Sequence, residues 1–366
     1  MIDSKKKDFI DTFLSLIRLG IGHEPISLSD KIDWKRIFKL SQKHGVSAIV
    51  LDGAEKIFSD LANQESVDMH PDFKLYWISV VYDAYERAYL KYTESLARLA
   101  KFYNRRGFKL MILKGYGLSL EYPIPNHRPC GDIDTWSFGD YKEVDAAIEK
   151  ELGISIDSSH HHHTVYKWGE FSVENHYDFV NVHYGHNNDK LELIYKELAK
   201  DDSHYTEIDG NRIYLPSPNL NALFLLRHAM LHFASTKINI RQLLDWAFFM
   251  KKYSSQVDWD WCISILREYN MIKFFDYINA ICVSDLGFDA SDYPYINSDL
   301  ESKDRILNDI IFPEFRDIEP KGKLNKLFYK LRRRHANSWK REICYGDEGI
   351  RSFMVSVMSH LISPRG

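Results

Sequence analysis

Apolar positions recur with helical spacing over residues 1 to about 105. Phe9, Phe13, Leu16 and Ile17 share one face, and Ile37, Leu40, Ala48 and Leu51 predict further helices broken at Gly45 and Gly53. A long tyrosine-rich helix is expected from Asp72 to Arg105, burying Trp77, Val81, Ala84, Ala88, Leu96 and Leu99. After it the period shortens. Runs at Phe108 to Leu113, Gly131 to Trp136, Thr164 to Trp168, Phe171 to Tyr177 and Asn211 to Leu215 read as strands parted by turn signals, and Val144 to Leu152 reads as a helix. Pro216-Ser217-Pro218 marks a boundary. Helical spacing then resumes over Leu220 to Phe233, with Ser217 or Asn219 as its cap, and continues over Arg241 to Tyr253, Trp259 to Tyr269 and Ile272 to Asp285. The pattern divides the chain into a helical region 1–105, an α/β segment 106–215 and a helical carboxy-terminal region 216–366.

Bulk properties narrow the class. A length of 366 residues suits about two domains, and a formal charge of -4 creates no demand for nucleic acid as a partner. Cys130, Cys262, Cys282 and Cys344 are too scattered for a paired metal-ligand spacing, so reduced thiols and a cytoplasmic location are expected. No apolar run approaches the ~20 residues that cross a bilayer, and the amino terminus alternates polar and apolar residues unlike a signal peptide.

The candidate chemistry gathers where the first predicted strand meets glycine. Leu113-Lys114-Gly115-Tyr116-Gly117 follows Phe108 to Leu113, and a short helix is expected from Gly115 to Tyr122, ended by Pro123 and Pro125. In Asp132-Ile133-Asp134 the two-residue period of a strand puts both carboxylates on one face and Ile133 on the other. Like charges held side by side repel, and a divalent cation relieves them. Glu174, in the predicted strand Phe171 to Tyr177, supplies a third carboxylate, with Glu170 and Asp178 as nearby substitutes. Three carboxylates converging from two strands suit Mg²⁺ with room for substrate phosphates, Mn²⁺ being the alternative ion. Gly115 and Gly117 let backbone amides approach phosphate oxygens, although a bare Gly-x-Gly is weak evidence. Lys114 and Arg128 are the candidate cations for a triphosphate or a leaving pyrophosphate.

These pieces, in this order, resemble the signature of the uncharacterised bacterial nucleotidyltransferases, a branch of the DNA polymerase β-like nucleotidyltransferase superfamily. The likeness runs from about residue 30 to 270. It includes Asp33-Trp34, Lys43-His44-Gly45-Val46, the Lys-Gly turn, Arg128, Asp-Ile-Asp and Val173-Glu174-Asn175-His176. It extends to Leu226-Arg227-His228-Ala229-Met230-Leu231-His232-Phe233 and Arg241-Gln242-Leu243-Leu244-Asp245-Trp246. The resemblance implies an α+β fold: a small mixed-sheet core flanked by amino- and carboxy-terminal helical regions. It implies that Asp132 and Asp134 hold Mg²⁺ and that Glu174 completes the site. The implied activity moves a nucleoside monophosphate from an NTP to a hydroxyl acceptor, of small-molecule, protein or RNA origin, with release of pyrophosphate. One departure favours a rival reading. Tyr116 follows Gly115 where the wider superfamily has serine or glycine, as in a catalytically degenerate module that binds nucleotide or a partner.

Three further features carry weaker signals. His160-His161-His162-His163 cannot all face one metal from a strand; a polar loop near the active site is expected, with a transition-metal site using His176 or His183 as the sharper reading. His228 and His232 share a helix face without the glutamate of a zinc protease, and with Arg227, Arg241 and Asp245 they are expected at a domain interface or the nucleotide pocket. From Lys321 to Arg341 nine basic residues occur with no acidic one, which reads as a solvated face balanced by acids elsewhere or as a docking surface for a phosphate-rich partner.

Overall fold

The computed structural model describes residues 4–29, 31–59, 69–180, 188–296 and 301–346. His183 lies outside them. The centre of the chain forms a six-stranded mixed sheet. Its strands are β1 (Met111–Ile112), β2 (Ile133–Trp136), β3 (His163–Trp168), β4 (Phe171–His176), β5 (Tyr205–Ile208) and β6 (Asn211–Tyr214), in the order β3-β4-β2-β1-β6-β5. β2 runs parallel to β4 and antiparallel to β1, and β1 runs parallel to β6. With the helices on either side this is an α+β fold.

The strands follow from alternation. Leu110, Ile112, Ile133, Val173 and Ile213 face one core, against Tyr92, Leu96, Leu99 and Tyr103 of the helix Arg87–Arg105. Met111, Leu113, Trp136 and Tyr214 face a second core shared with the amino- and carboxy-terminal helices. The run predicted from Phe108 is shorter as a strand, but Leu110 and Leu113 still bond to Tyr214 and Asp134 through their backbones. Two tight turns close the hairpins. Gly169 adopts φ 63° between β3 and β4, and Asp209-Gly210 adopts φ 47° and 70° between β5 and β6, as two-residue hairpin turns require. The strand β5 and the helix Asn188–Leu198 were not among the predicted elements.

Two details of the amino-terminal helices differ from expectation. The helix predicted from Asp72 to Arg105 is interrupted by a π turn, Tyr82–Glu86, between Pro71–Val81 and Arg87–Arg105. The extra residue in that turn shifts the helical phase, so Ala84 is exposed and Tyr85 is buried, its hydroxyl accepting from the Ser47 amide at 3.0 Å. Gly45 ends the helix Trp34–His44 with φ 65°, but Gly53 lies inside Ser47–Ser59 and breaks nothing. It is a packing glycine: a Cβ there would stand 1.9 Å from the Leu16 carbonyl oxygen, and one on Gly20 would stand 2.0 Å from that of Ile49. The helices Ser4–Gly20 and Ser47–Ser59 cross backbone to backbone at these two residues.

Beyond the sheet, the helices Pro218–Ser235, Ile240–Tyr253, Trp259–Glu268 and Ile272–Ser284 match the predicted periodicity within a few residues. Asn239 and Gln242 form a capping box that fixes the start of Ile240–Tyr253. No helix among the described residues is long and apolar enough to cross a membrane, and all four cysteines are free.

Candidate active site

Parallel pairing of β2 and β4 sets Asp134 directly opposite Glu174, and Trp136 opposite His176. Because Ile133 and Val173 point into the core beneath Arg87–Arg105, Asp134, Glu174 and His176 emerge on the other face of the sheet. Ligand atoms of these three residues lie within 4.8 Å of one another. Asp132 stands just before β2, exposed, and is outside that trio. It remains within their electrostatic reach: partial burial, then the charges of Glu174 and Asp134, raise its carboxyl above the ordinary range.

Asp134 is the buried member, and its charge is held by two partners. Lys114 Nζ lies 2.8 Å and His176 Nε2 3.3 Å from the same oxygen, Oδ1. Burial opposes ionisation, yet the Lys114 ammonium and the His176 ring hold this carboxyl well below the usual range. Glu174 Oε2 lies 3.6 Å from His176 Nε2, and that contact lowers its pKa although burial and Asp134 act against it. Burial alone would lower the His176 ring, but the two carboxylates reverse the sign and raise it. The result is a pair of carboxylates, Asp134 buried and Glu174 half-buried, with its own cation attached.

The glycine turn has two different local reasons. Gly115 adopts φ 61°, and a Cβ there would come 2.7 Å from the Tyr92 hydroxyl, so the bend before the short helix Tyr116–Ser119 needs glycine on both counts. A Cβ on Gly117 would meet Leu215 Cδ2 at 3.0 Å; its setting is a cavity of about 210 Å³ that also includes Ile112, Leu113, Glu121 and Tyr253 and none of the three carboxylates. Arg128 is buried and engaged: Nε and Nη2 donate to Asp245 Oδ1 and Oδ2 at 2.7 and 2.9 Å, and the Tyr122 hydroxyl donates to the same carboxylate at 2.7 Å. One residue earlier, His127 Nδ1 meets Asp52 at 2.7 Å. The loop leading into Asp132 is thereby clamped to helices from both ends of the chain.

The carboxy-terminal helices contribute residues beside the cluster. Phe224, on Pro218–Ser235, has its ring centroid 5.9 Å from Lys114 Nζ and 6.0 Å from the ring of His228. Packing and then the Lys114 charge push the His228 ring well below its ordinary value, and His228 and His232 stand 4.5 Å apart, centroid to centroid. Arg227 bonds Asn188 at 3.3 Å, and Arg241 reaches the Pro129 carbonyl at 3.4 Å. Two groups had not been singled out for the carboxylate site. His176 is one, legible in Val-Glu-Asn-His as the next same-face residue after Glu174; exposed Lys167 on β3, within electrostatic reach of Asp132, is the other.

The histidine run straddles the start of β3. His163 is its first residue and pairs across to His176, while His162 precedes it. Burial and the neighbouring rings push both His162 and His163 down to about 4. The basic stretch forms the helices Lys323–Ala336 and Ser338–Tyr345, and several of its cations meet acids just upstream: Lys326 with Glu319 at 3.0 Å, Arg332 with Asp317 at 2.8 Å, and Lys340 with Asp309 at 2.5 Å. Three of the nine cations of this stretch are thereby balanced by acids.

No curated protein and no solved structure matches the chain. A family model does, over residues 30–287, and it takes in the Lys-Gly turn, the sheet carboxylates and the helices that carry His228 and Asp245. That match covers most of the chain, which therefore belongs to the family described as uncharacterised nucleotidyltransferase.

Proposed function

We propose that this chain is a Mg²⁺-dependent nucleotidyltransferase with a DNA polymerase β-like core, moving a nucleoside monophosphate from an NTP to a hydroxyl acceptor. The observation that carries the reading is the facing of Asp134 and Glu174 across parallel strands, with Asp132 two residues before Asp134, just ahead of the same strand. Such crowding of carboxylates is relieved by a divalent cation, and an all-oxygen donor set with room for phosphates fits Mg²⁺, with Mn²⁺ as substitute. Asp132, Asp134 and Glu174 would hold the ion, which when bound supplies charge stabilisation at the attacking and leaving oxygens.

The chain's own groups divide the remaining work. Lys114, already at the cluster, offers its ammonium to the triphosphate, and the bend at Gly115 admits a phosphate to backbone amides. Gly117 follows that bend at a point where a side chain would meet Leu215. Arg128 enters through Asp245, fixing the loop from which Asp132 projects. In the reaction the acceptor oxygen bonds to the α-phosphorus, the bond to the β-phosphate bridging oxygen breaks, and its electron pair leaves with pyrophosphate. The hydroxyl proton passes to a carboxylate oxygen of Asp132, the exposed member that an acceptor reaches first. Four free thiols support a reducing, cytoplasmic setting.

A second reading is favoured by one contact. Lys114 sits on Asp134 Oδ1 at 2.8 Å and itself neutralises the carboxylate, as suits a module that binds nucleotide or a partner without turnover. Labelled NTPs with Mg²⁺ and candidate acceptors separate the two. Transfer by the native chain that Asp132→Asn, Asp134→Asn and Glu174→Gln abolish supports the enzyme; calorimetric NTP binding with no transfer supports the second reading. Equal labelling by the native chain and all three variants removes the mechanism.

A further inference from the structure

Three imidazoles converge at the edge of the carboxylate site. Ring nitrogens of His162, His163 and His176 all lie within 4.8 Å of one another. The ring centroids of His162 and His163 are 4.3 Å apart, and those of His163 and His176 5.1 Å. Two are deeply buried, His163 at 7% and His176 at 6% exposure, and His162 is half-buried. In each the Nδ1 atom is buried without a hydrogen-bond partner. Buried polar atoms are normally paired, so three neighbouring rings that each leave a buried nitrogen without a partner call for a ligand.

We propose that His162, His163 and His176 form a binding site for a borderline transition-metal dication of the Zn²⁺ class, distinct in chemistry from the carboxylate site beside it. Neutral imidazole nitrogens select zinc-like ions, whereas Mg²⁺ selects oxygen donors. Zinc-nitrogen bonds of about 2.0–2.1 Å in a tetrahedron set the nitrogens ~3.3 Å apart, so a bound ion would draw these three neighbouring rings together. The backbone is arranged for it. The cross-strand pairing of His163 with His176 brings their rings together, and His162, ahead of the strand, is freed from the alternation that would send its ring to the opposite face. The His162 carbonyl accepts from the Tyr177 and Asp178 amides, both at 3.1 Å, which fixes the loop against the end of β4.

A supporting shell is present as well. His176 Nε2 faces Asp134 at 3.3 Å, with Glu174 at 3.6 Å beyond it; in the neutral ring with Nε2–H donating to Asp134, the lone pair is on Nδ1. A carboxylate bonded to the far nitrogen of a ligating histidine is the usual means of fixing the tautomer and strengthening the ligand. His162, His163 and His176 supply three protein ligands, which would leave a coordination position open to water or substrate. Residues of the site tie the ion to the carboxylate cluster through a single ring, His176.

The test uses the full chain without appended histidines, stripped with chelator, loaded with Zn²⁺ in the presence of millimolar Mg²⁺, and gel-filtered before elemental analysis. The native chain and Asp132→Asn are expected to retain about one zinc per chain, and His162→Ala and His163→Ala less than roughly a tenth of that. Co²⁺ loading should give the intense visible bands of a tetrahedral site in the native chain and lose them in both variants. If His163→Ala does not fold by circular dichroism, His162→Ala, which alters a half-buried residue outside the strand, carries the decision. No zinc on the native chain, or equal retention by a folded His162→Ala, overturns the proposal.

Discussion

Arg128 and Asp245, 117 positions apart in the chain, meet in a two-pronged buried ion pair with nitrogen-oxygen distances of 2.7 and 2.9 Å. Removing one partner strands the other charge in the interior, which typically costs about 3–5 kcal/mol. Asp245→Ala is therefore expected to lower the unfolding free energy by about that amount, read from denaturant midpoints at constant slope. It should also loosen the loop before Asp132 and weaken NTP binding. A loss below about 1 kcal/mol would show that the pair has no such role.

Lys114→Met removes the ammonium from Asp134 without shortening the side chain much. The Asp134 carboxyl should then titrate closer to its ordinary range, since the principal cation holding it down is gone. On the proposed reading, NTP affinity falls roughly tenfold to hundredfold, the value of a charge-assisted hydrogen bond of about 1.5–3 kcal/mol. Calorimetric titration with a non-hydrolysable NTP gives the number; unchanged affinity would assign Lys114 to Asp134 alone.

His44 couples stability to pH far from the site. Its Nδ1 accepts from the Ile240 amide at 3.3 Å, leaving Nε2–H to donate to the Ile311 carbonyl at 3.2 Å, and burial pushes the ring down to about 4. The folded state thus holds it neutral while the unfolded chain protonates near 6.5. Its contribution is fully present above about pH 6.5 and is lost as pH falls through about 4, a difference of roughly 3 kcal/mol. His44→Gln should flatten the pH dependence of stability in that window; parallel curves for the two proteins would refute the assignment.

Gly53→Ala tests the helix crossing. With a backbone oxygen 1.9 Å from the new methyl carbon, neither helix can yield by a rotamer change, and the two must separate. A loss of about 1–3 kcal/mol is expected, the opposite of the gain that alanine brings to an unconstrained helix position. A stabilised variant would contradict the close crossing.

What was legible in the chain was what local periodicity controls. The two-residue period around Ile133 and Val173 gave both strands and the face on which Asp134 and Glu174 emerge, and the 3.6-residue period gave the helices that carry His228 and Asp245. Features set by contacts between distant segments were not. Nothing near Arg128 announces Asp245, and nothing near Gly53 tells a break from a close approach to Leu16. The π turn at Tyr82–Glu86 leaves the composition of its helix unchanged and alters only its phase, which is why Ala84 was expected inside and Tyr85 was not. The strand Tyr205–Ile208 did carry a signal, Asp209-Gly210, but its exposed, partly polar residues hid it.

The most direct test of the central claim is a crystal structure with Mg²⁺ and a non-hydrolysable NTP. The account predicts a cation about 2.0–2.1 Å from carboxylate oxygens of Asp132 and Asp134, with the triphosphate against Lys114 and the Gly115 bend. A triphosphate bound elsewhere, such as in the cavity by Ile112 and Tyr253, with no ion at the sheet carboxylates, would contradict it.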